Sequence, residues 1–264
     1  MDILKKELAP ITTEAWEEII ETASDVFKAH LSVRKFADVN GPHGLQLGAV
    51  SQGRLHMPEN QKTKGLRYGM QKVQPLVEAR VSFSLDIWEL DNIMRGAEDI
   101  DLDALEGAAK KMAEFEETTI YNGLADANLK GLKKSSENKP VEFPEDPSKI
   151  LHAVTEAVAK MKSEAVEGPY SLIVDMEKWE KISSYVEGYP LRLQLGNILE
   201  GKIILAPHLN GAFLVSERGG DFRLTLGQDI SIGYESHDQN NVQLYFTESF
   251  TFQVLDPAAI ILFK

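Results

Sequence analysis

The chain of 264 residues contains no cysteine, which excludes disulfide bonds, thiolate nucleophiles and cysteine-based zinc sites. Its six histidines are scattered, and no two are four residues apart as in a helical metal-binding pair. No stretch approaches the roughly 20 apolar residues of a membrane-spanning helix, and no apolar run follows the lysines near the start. We therefore expect a cytoplasmic protein without a secretory signal, a membrane partner or a resident metal.

Basic residues are scarce relative to acidic ones. The sequence has 28 lysines and arginines against 41 aspartates and glutamates, a formal net charge of −13. It has no basic cluster that could neutralise a phosphate backbone, so nucleic acid is not expected as a partner. Enzyme motifs such as GxSxG, GxxxxGK[ST] and a helix-opening GxGxxG are also missing. We expect a protein that is not an enzyme and requires no cofactor.

Alternation near the end of the chain is the strongest positive signal. From Val242 to Val254 the even positions are apolar and most odd positions are polar, which predicts a half-buried strand about twice the usual length. Glu248 interrupts the apolar face at its middle, and a buried carboxylate requires a partner. We favour a bulge or an ion pair with an arginine of the same chain. The alternative is an ion pair across a subunit boundary.

Helices and strands are both predicted along the rest of the chain, so the fold class is α+β. Apolar residues three and four apart predict helices over 13–31, 103–123, from Asp146-Pro147 onward, and over 176–186. Strands are predicted over 72–91, 171–174 and around Ile203 and Phe213, with a turn at Asn210-Gly211 joining the last two and a hairpin turn at Gly219-Gly220-Asp221. Residues 41–69 have no sustained apolar face, which predicts either a mobile loop or an extended hairpin packed on a neighbouring molecule.

Trp88 lies in the segment SFSLDIWELDN, eight residues after Arg80. An exposed indole near an arginine could stack on a flavin ring, because both groups bind flat aromatic systems. The more frequent role of such a tryptophan is to anchor a core or an interface. A flavin cofactor is therefore an expectation to be tested.

Several long segments resemble the encapsulin shell proteins, which are also described as linocin-like bacteriocin proteins. The segments are LAPITTEAWEEI, FKAHLSVRKFADVNGP, FSLDIWELDNIMRG, EGPYSLIV, GYPLR, SERGGDFRLTLGQDISIGYESHD and ESFTFQVLDPAAIILF. Together they extend over essentially the whole chain. The resemblance implies the tailed-phage major capsid protein fold, with a peripheral lobe, an extended loop and an axial lobe. It also implies self-assembly into an icosahedral nanocompartment, with the smallest shell (T=1) expected.

The resemblance also implies how the chain is divided. The expected parts are an N-terminal arm and lumen-facing helix (1–40), an extended loop region (41–72), a peripheral lobe with the spine helix (73–130), an axial lobe (131–218) and a return to the peripheral lobe (219–264).

Two sites follow from the same resemblance. In the family, a C-terminal targeting peptide of the cargo protein docks between the amino-terminal helix and the peripheral lobe. The matching positions are Phe27, Leu31, Arg34, Asp38, Leu226, Asp229, Ile230 and Ile232. Apolar anchors would supply affinity, and Arg34 with Asp38 would fix the register of the peptide. Alternatively, Phe27 and Leu31 simply complete a helix core.

The second site is a loop that would line the five-fold opening of the shell. It comprises Tyr185, Val186, Glu187, Gly188 and Tyr189. Glu187 suits the passage of small solutes and metal ions, although a carboxylate on a loop tip is ordinarily just solvated.

The function implied is that of a structural shell subunit enclosing a cargo enzyme. The expected cargo is a ferritin-like iron-storage protein or a dye-decolorising peroxidase, serving iron storage or defence against oxidative stress. One alternative is a secreted bacteriocin or protease, which the missing signal and nucleophile motif oppose. Another is a phage major capsid protein, which the charge opposes because a genome-packaging shell needs a basic lumen.

Overall fold

The computed structural model describes residues 3–59, 61 and 65–264. The helices are α1 (Thr13–His30), α2 (Ile87–Arg95), α3 (Asp103–Asn122), α4 (Gly131–Ser135), α5 (Pro147–Ser163), α6 (Met176–Ser184) and α7 (Leu191–Leu199). The strands are β1 (Asp38–Asn40), β2 (Ala49–His56), β3 (Met70–Pro75), β4 (Val77–Asp86), β5 (Tyr170–Val174), β6 (Val186–Glu187), β7 (Tyr189–Pro190), β8 (Glu200–Leu205), β9 (Ala212–Ser216), β10 (Phe222–Leu226), β11 (Ser231–His237), β12 (Asn241–Val254) and β13 (Ile260–Phe263).

The first sheet is organised around β12, which confirms the predicted long strand. β4 runs antiparallel along one edge of β12. The opposite edge pairs with β11 over residues 242–247 and with β10 over residues 250–254, and β1 adds in parallel to β10. The unusual length of β12 is therefore explained by two partners that follow each other along the same edge. The segment joining β10 to β11 crosses the gap between them, opposite Glu248.

The second sheet has the order β13-β9-β5-β8, and it corrects two predicted turns. The residues at 210–211 do not join paired strands, because β8 and β9 lie on opposite sides of β5. Gly219-Gly220-Asp221 leads from β9 in the second sheet to β10 in the first, so it does not close a hairpin. In both places the strands pair with strands other than their neighbour in the sequence.

The last strand differs from the predicted division of the chain. The stretch 219–264 was expected to return as a whole to the peripheral lobe, but β13 pairs antiparallel with β9 in the second sheet. All four of its side chains are buried. Such a continuous apolar strand needs cover on both faces, and all four side chains belong to the apolar cluster around the second sheet, although β13 is an edge strand of that sheet.

Helix α1 begins where predicted, with the Thr12 hydroxyl accepting a hydrogen bond from the backbone N–H of Ala15 at 3.2 Å. Helix α2 was not predicted, since residues 72–91 were expected to be strand. Its start is set by Asp86, whose carboxylate accepts bonds from the backbone N–H groups of Trp88 (2.7 Å) and Glu89 (3.1 Å). An aspartate N-cap of this kind satisfies donors that a new helix leaves unpaired.

Strands β2 and β3 form an extended hairpin, one of the two alternatives predicted for residues 41–69, except that β3 begins at Met70, beyond that range. Its packing on a neighbouring molecule stays a prediction. The two strands pair with each other, and most of their side chains are exposed, including the apolar Leu55, Met70 and Val73. Residues 60 and 62–64 of the predicted extended loop lie outside the described residues, as do residues 1 and 2 of the predicted arm.

Two apolar clusters meet along α3 and β12. The first packs α1, α2 and the start of α3 against β4, β11 and β12, and includes Met112 and Phe246. The second fills the space around the second sheet and includes Ile120 and Phe250. Between these pairs of residues lie Glu116 and Glu117 on α3 and Glu248 on β12, all fully buried. A polar layer thus separates the two clusters.

Candidate functional site

A groove of about 570 Å³ lies beside this polar layer, between α1 and the segment that joins β10 to β11. Its apolar lining includes Ile20, Phe27 and Leu31 from the helix side and Ile230 and Ile232 from the sheet side. The ring of Phe27 meets Phe246 edge-on, with 5.2 Å between ring centroids. Phe27 therefore both packs against the core and lines the groove, and its role in docking a peptide stays a prediction.

Six of the eight residues predicted for peptide docking line the groove, namely Phe27, Leu31, Arg34, Asp229, Ile230 and Ile232. Asp38 and Leu226 do not. The Asp38 carboxylate accepts a hydrogen bond from the backbone N–H of Gly220 at 2.7 Å and fixes the connection between the two sheets. The side chain of Leu226 is buried in the second cluster, and its carbonyl oxygen accepts from the N–H of His43 at 3.0 Å. The structure therefore does not bring these two residues to the groove, and a docking role for them stays a prediction.

The prediction missed other lining residues, including Ile20 and the lysines Lys6, Lys28 and Lys35. Ile20 precedes Phe27 by seven residues, which is two helical turns on the same face, and it is 48% exposed. Helical spacing alone could have found it. The lysines carry no comparable pattern, because only the folded geometry places Lys6 near the other two.

Arg34 is held by three carboxylates at the edge of the groove. Its Nε and Nη2 atoms donate to Glu116 at 3.0 and 2.5 Å, and its Nη1 donates to Asp229 at 2.8 Å. Glu248 lies 3.5 Å from Nη2. The arginine expected beside Glu248 is therefore present in its own chain. Arg34 joins α3, β12 and the β10–β11 segment, rather than standing free to read a peptide.

Within this cluster the pKa values of Glu248 and Arg34 are both raised. Burial and the negative charge of Glu116 raise the pKa of Glu248 well above its ordinary value, which favours its protonated form. Burial would lower the pKa of Arg34, but the bonds and charges of Glu116 and Asp229 outweigh it and raise that pKa. One guanidinium thus lies among three carboxyl groups, and burial raises the pKa of the Glu248 group.

Glu117 follows Glu116 on α3 and holds the turn that leads from α1 to Arg34. Its carboxylate accepts bonds from the backbone N–H groups of Ser32 (2.9 Å) and Val33 (3.0 Å) and from the Ser32 hydroxyl. The Ser32 hydroxyl also contacts the Tyr121 hydroxyl at 2.5 Å. Burial raises the pKa of Glu117 to about 7, and these bonds limit the rise. Two adjacent glutamates therefore fix the end of α1 that forms one groove wall.

The predicted pore loop is a small exposed hairpin. β6 and β7 pair through Glu187 and Tyr189, and Gly188 turns the chain with φ of +72°. The Tyr185 hydroxyl donates to Glu187 at 2.5 Å, which raises the pKa of Tyr185. Val186 and Tyr189 are largely exposed. The exposed side chains of the hairpin are one carboxylate, Glu187, and two largely apolar groups, Val186 and Tyr189.

Trp88 and Arg80 do not form one stacking site. The indole of Trp88, on α2, is 68% exposed, and the cation over its ring is Arg95 at 5.8 Å. Arg80, on β4, lies over the ring of Tyr245 at 4.1 Å instead. The predicted two-residue flavin site is therefore not assembled, and binding of a flavin to Trp88 alone stays a prediction.

Residues 3–59, 61 and 65–264 contain neither a metal-binding cluster nor a membrane-spanning helix. No group of three or more histidine, aspartate or glutamate side chains is placed to hold a metal ion. No helix in those ranges has the length and apolar character needed to cross a membrane.

Comparison with known proteins places these features in context. Residues 1–251 match a family model described as "Encapsulating protein for peroxidase". A Type 1 encapsulin shell protein of Mycolicibacterium paratuberculosis is 42% identical over 253 residues, covering 96% of this chain and 95% of that protein. Another, of Rhodococcus erythropolis, is 40% identical over 262 residues and covers 99% of both chains.

Solved structures show the fold. The virus-like particle from Pyrococcus furiosus superposes with a TM-score of 0.69 at 17% identity, covering 96% of this chain and 100% of that one. The capsid of Myoviridae phage XM1 gives a TM-score of 0.56 at 10% identity, over 88% and 91%. The predicted α+β fold of tailed-phage capsid proteins is therefore confirmed.

Proposed function

This chain belongs to the encapsulin shell-protein family, and on that premise we propose that it assembles into a closed icosahedral compartment that captures a cargo protein through the groove. The groove is the observation that carries this proposal. It offers an apolar floor beside a rigid polar cluster, which suits an extended peptide that inserts apolar side chains and hydrogen-bonds through its backbone. The compartment is proposed to be cytoplasmic and of the smallest icosahedral type.

The cargo is proposed to be an enzyme of oxidative-stress defence or iron storage, either a peroxidase or a ferritin-like protein. The family model's description names a peroxidase, and this favours the first. The docking element is proposed to be a C-terminal targeting peptide of that enzyme. The shell itself is proposed to contribute no catalysis, because the relatives at 40–42% identity are named shell proteins.

The hairpin at residues 185–190 is proposed to line the five-fold opening. Glu187 would present a carboxylate to passing cations there, and its bond from Tyr185 holds it in place. A ring of five such carboxylates would attract metal ions and small cations from solution.

Loading of cargo tests the groove directly. We expect the double variant Phe27→Asp and Ile230→Asp to form intact shells without cargo, because two charges would line an apolar floor. Ile20→Asp is a gentler change at an already exposed position of the same floor and should reduce loading as well. Met176→Asp, on a similarly exposed residue that does not line the groove, is the matched control and should load normally.

Cargo that still co-purifies with the double variant at the wild-type ratio would refute the groove. Intact but unloaded wild-type shells would instead refute the choice of cargo.

The two alternative functions make different predictions. A protease would be recognised by proteolysis from purified shells stripped of cargo, and we expect none. A phage capsid protein would require a portal or terminase gene beside its own gene. The relatives at 40–42% identity that are named shell proteins favour the compartment.

A further inference from the structure

A second pocket adjoins the groove and differs from it in charge. It has a volume of about 550 Å³ and lies against α7 and β8. Its charged lining residues are Lys35, Arg192 and Lys202, with no aspartate or glutamate among the residues that line it. In a chain with a net charge of −13, three cations without an acid form an unusual concentration of positive charge. We call this the basic pocket.

The three cations are free to meet a ligand. None of them lies in an ion pair within the described residues. Lys202 donates to the backbone oxygen of Lys35 at a long 3.4 Å, and Arg192 lies over the ring of Trp179 at 4.9 Å. This stacking orients the guanidinium without neutralising it. Each side chain thus retains its charge and most of its donors.

Lys35 connects the basic pocket to the groove, because it lines both. It follows Arg34 directly, in the turn that Glu116 and Glu117 hold. Four extended residues span about 13 Å. A segment seated on the apolar floor can therefore pass Lys35 and enter the basic pocket with only a few further residues.

We propose that the basic pocket binds an acidic stretch of the same cargo segment whose apolar residues fill the groove. The inference rests on the proposed docking function and adds the charge of the partner to it. Charge complementarity carries it: carboxylates are what three cations outside any ion pair, in a pocket that no aspartate or glutamate lines, would select. The partner segment would have an apolar part for the groove and two or more aspartates or glutamates beside it.

The test uses a fluorescent reporter protein fused to C-terminal tails and co-expressed with the full chain. An apolar tail is first selected that loads wild-type shells but not shells carrying Ile230→Asp. Four glutamates, four glutamines or four lysines are then placed in turn at either end of that tail. Reporter fluorescence per purified shell measures loading at limiting reporter expression.

We expect the glutamate tail to load about fivefold better than the glutamine tail at one of the two ends, and the lysine tail to load worst. Added salt should shrink the difference, because these partly exposed pairs are screened. The triple variant Lys35→Gln, Arg192→Gln and Lys202→Gln should abolish the ranking. The triple variant Lys133→Gln, Lys134→Gln and Lys139→Gln removes the same charge elsewhere and should preserve it.

Three results would overturn the inference while leaving the groove intact. Equal loading of glutamate and glutamine tails would show that the basic pocket does not distinguish tails by their charge. An unchanged ranking in the basic-pocket variant would place the effect elsewhere. Loss of co-purified nucleic acid in that variant, without a change in the tail ranking, would assign the pocket to nucleic acid. Failure of every tail to load would overturn the proposed docking function, and this inference with it.

Discussion

The groove and the 185–190 hairpin are both candidate functional sites, but they are built in opposite ways. The groove is assembled from α1, α3, β12 and the β10–β11 segment, and its edge is fixed by the fully buried carboxyl groups of Glu116 and Glu117 together with the partly exposed Asp229. The hairpin is a two-residue ladder with exposed side chains and one hydrogen bond between Tyr185 and Glu187. In the groove, folding and binding depend on the same residues. In the hairpin, Val186, Glu187 and Tyr189 are exposed and available for function, whereas Tyr185 packs against the apolar cluster around the second sheet.

This difference predicts how each site responds to substitution. Changes in the groove edge should alter stability and cargo loading together, because buried charges must remain paired. Changes in the hairpin should leave stability nearly intact and act on what passes by it. The predictions below run from the largest expected effect to the smallest.

Arg34→Ala should have the largest effect. It removes the cation shared by Glu116, Asp229 and Glu248, and loss of one partner from a buried ion pair costs about 3–5 kcal/mol. We expect a clearly lower midpoint of thermal unfolding of the shells and loss of cargo. Arg95→Ala is the control, because Arg95 pairs with Asp91 at the surface and such pairs are worth about 1 kcal/mol or less.

Glu248→Gln sharpens the same comparison within the cluster. Since Glu248 favours its protonated form, a neutral amide should replace it at much lower cost than the loss of Arg34.

Equal unfolding midpoints for Arg34→Ala and Arg95→Ala would show that the cluster does not hold the groove.

Glu117 should make stability depend on pH. Its folded pKa of about 7 lies above its ordinary value of 4.5, so the folded state binds a proton more tightly than the unfolded state. The contribution to stability is present below pH 4.5 and is lost as the pH rises through 7. Glu117→Gln cannot ionise, so the advantage of the wild type over this variant should shrink between pH 5 and 7.5.

The measurement is the unfolding midpoint of both proteins across that pH range. Glu114→Gln, at an exposed position of the same helix, should follow the wild-type profile. Parallel profiles for the wild type and Glu117→Gln would contradict the assigned pKa.

Gly188→Ala tests the hairpin's backbone. Gly188 has φ of +72° with open space where a side chain would stand, so the cost is conformational and amounts to about 1 kcal/mol. Gly188→Asn should cost less, because asparagine tolerates this conformation better. A change of midpoint as large as that of Arg34→Ala would mean that the hairpin supports the fold after all.

Glu187→Gln should have the smallest effect on stability, below about 0.5 kcal/mol, yet it should slow the entry of divalent cations. Entry is measured by the quenching of a metal-sensitive fluorophore loaded inside the shell. Glu142→Gln, at an exposed carboxylate on another loop, is the control. Unchanged entry in Glu187→Gln would remove this carboxylate from the proposed pore.

Local patterns in the sequence predicted the elements that depend on neighbouring residues. The apolar spacing along α1 and the alternation of β12 both correspond to the expected structures. Glu248 stood out because it broke an apolar face, and its arginine partner was anticipated as a residue type. These features are decided by periodicities of two and 3.6 residues.

Contacts between distant residues could not be predicted in the same way. Asp38 and Leu226 match a family pattern, but Asp38 holds the connection between the two sheets and Leu226 is buried in the core. Trp88 and Arg80 are close in sequence, but the helix that begins after Asp86 separates their partners. The His30 and His208 rings, with nitrogens 3.0 Å apart, are separated by 178 residues. The basic pocket has the same origin, since its three cations come from separate parts of the chain.

Cryo-electron microscopy of particles formed by the chain together with a loadable reporter would show the shell, the groove and the hairpin at once. We expect closed hollow shells, with peptide density along Phe27, Leu31 and Ile230 on the inner surface and five copies of the 185–190 hairpin around one axis. Monomers or open assemblies, or a groove that faces outward or is covered by a neighbouring subunit, would contradict it.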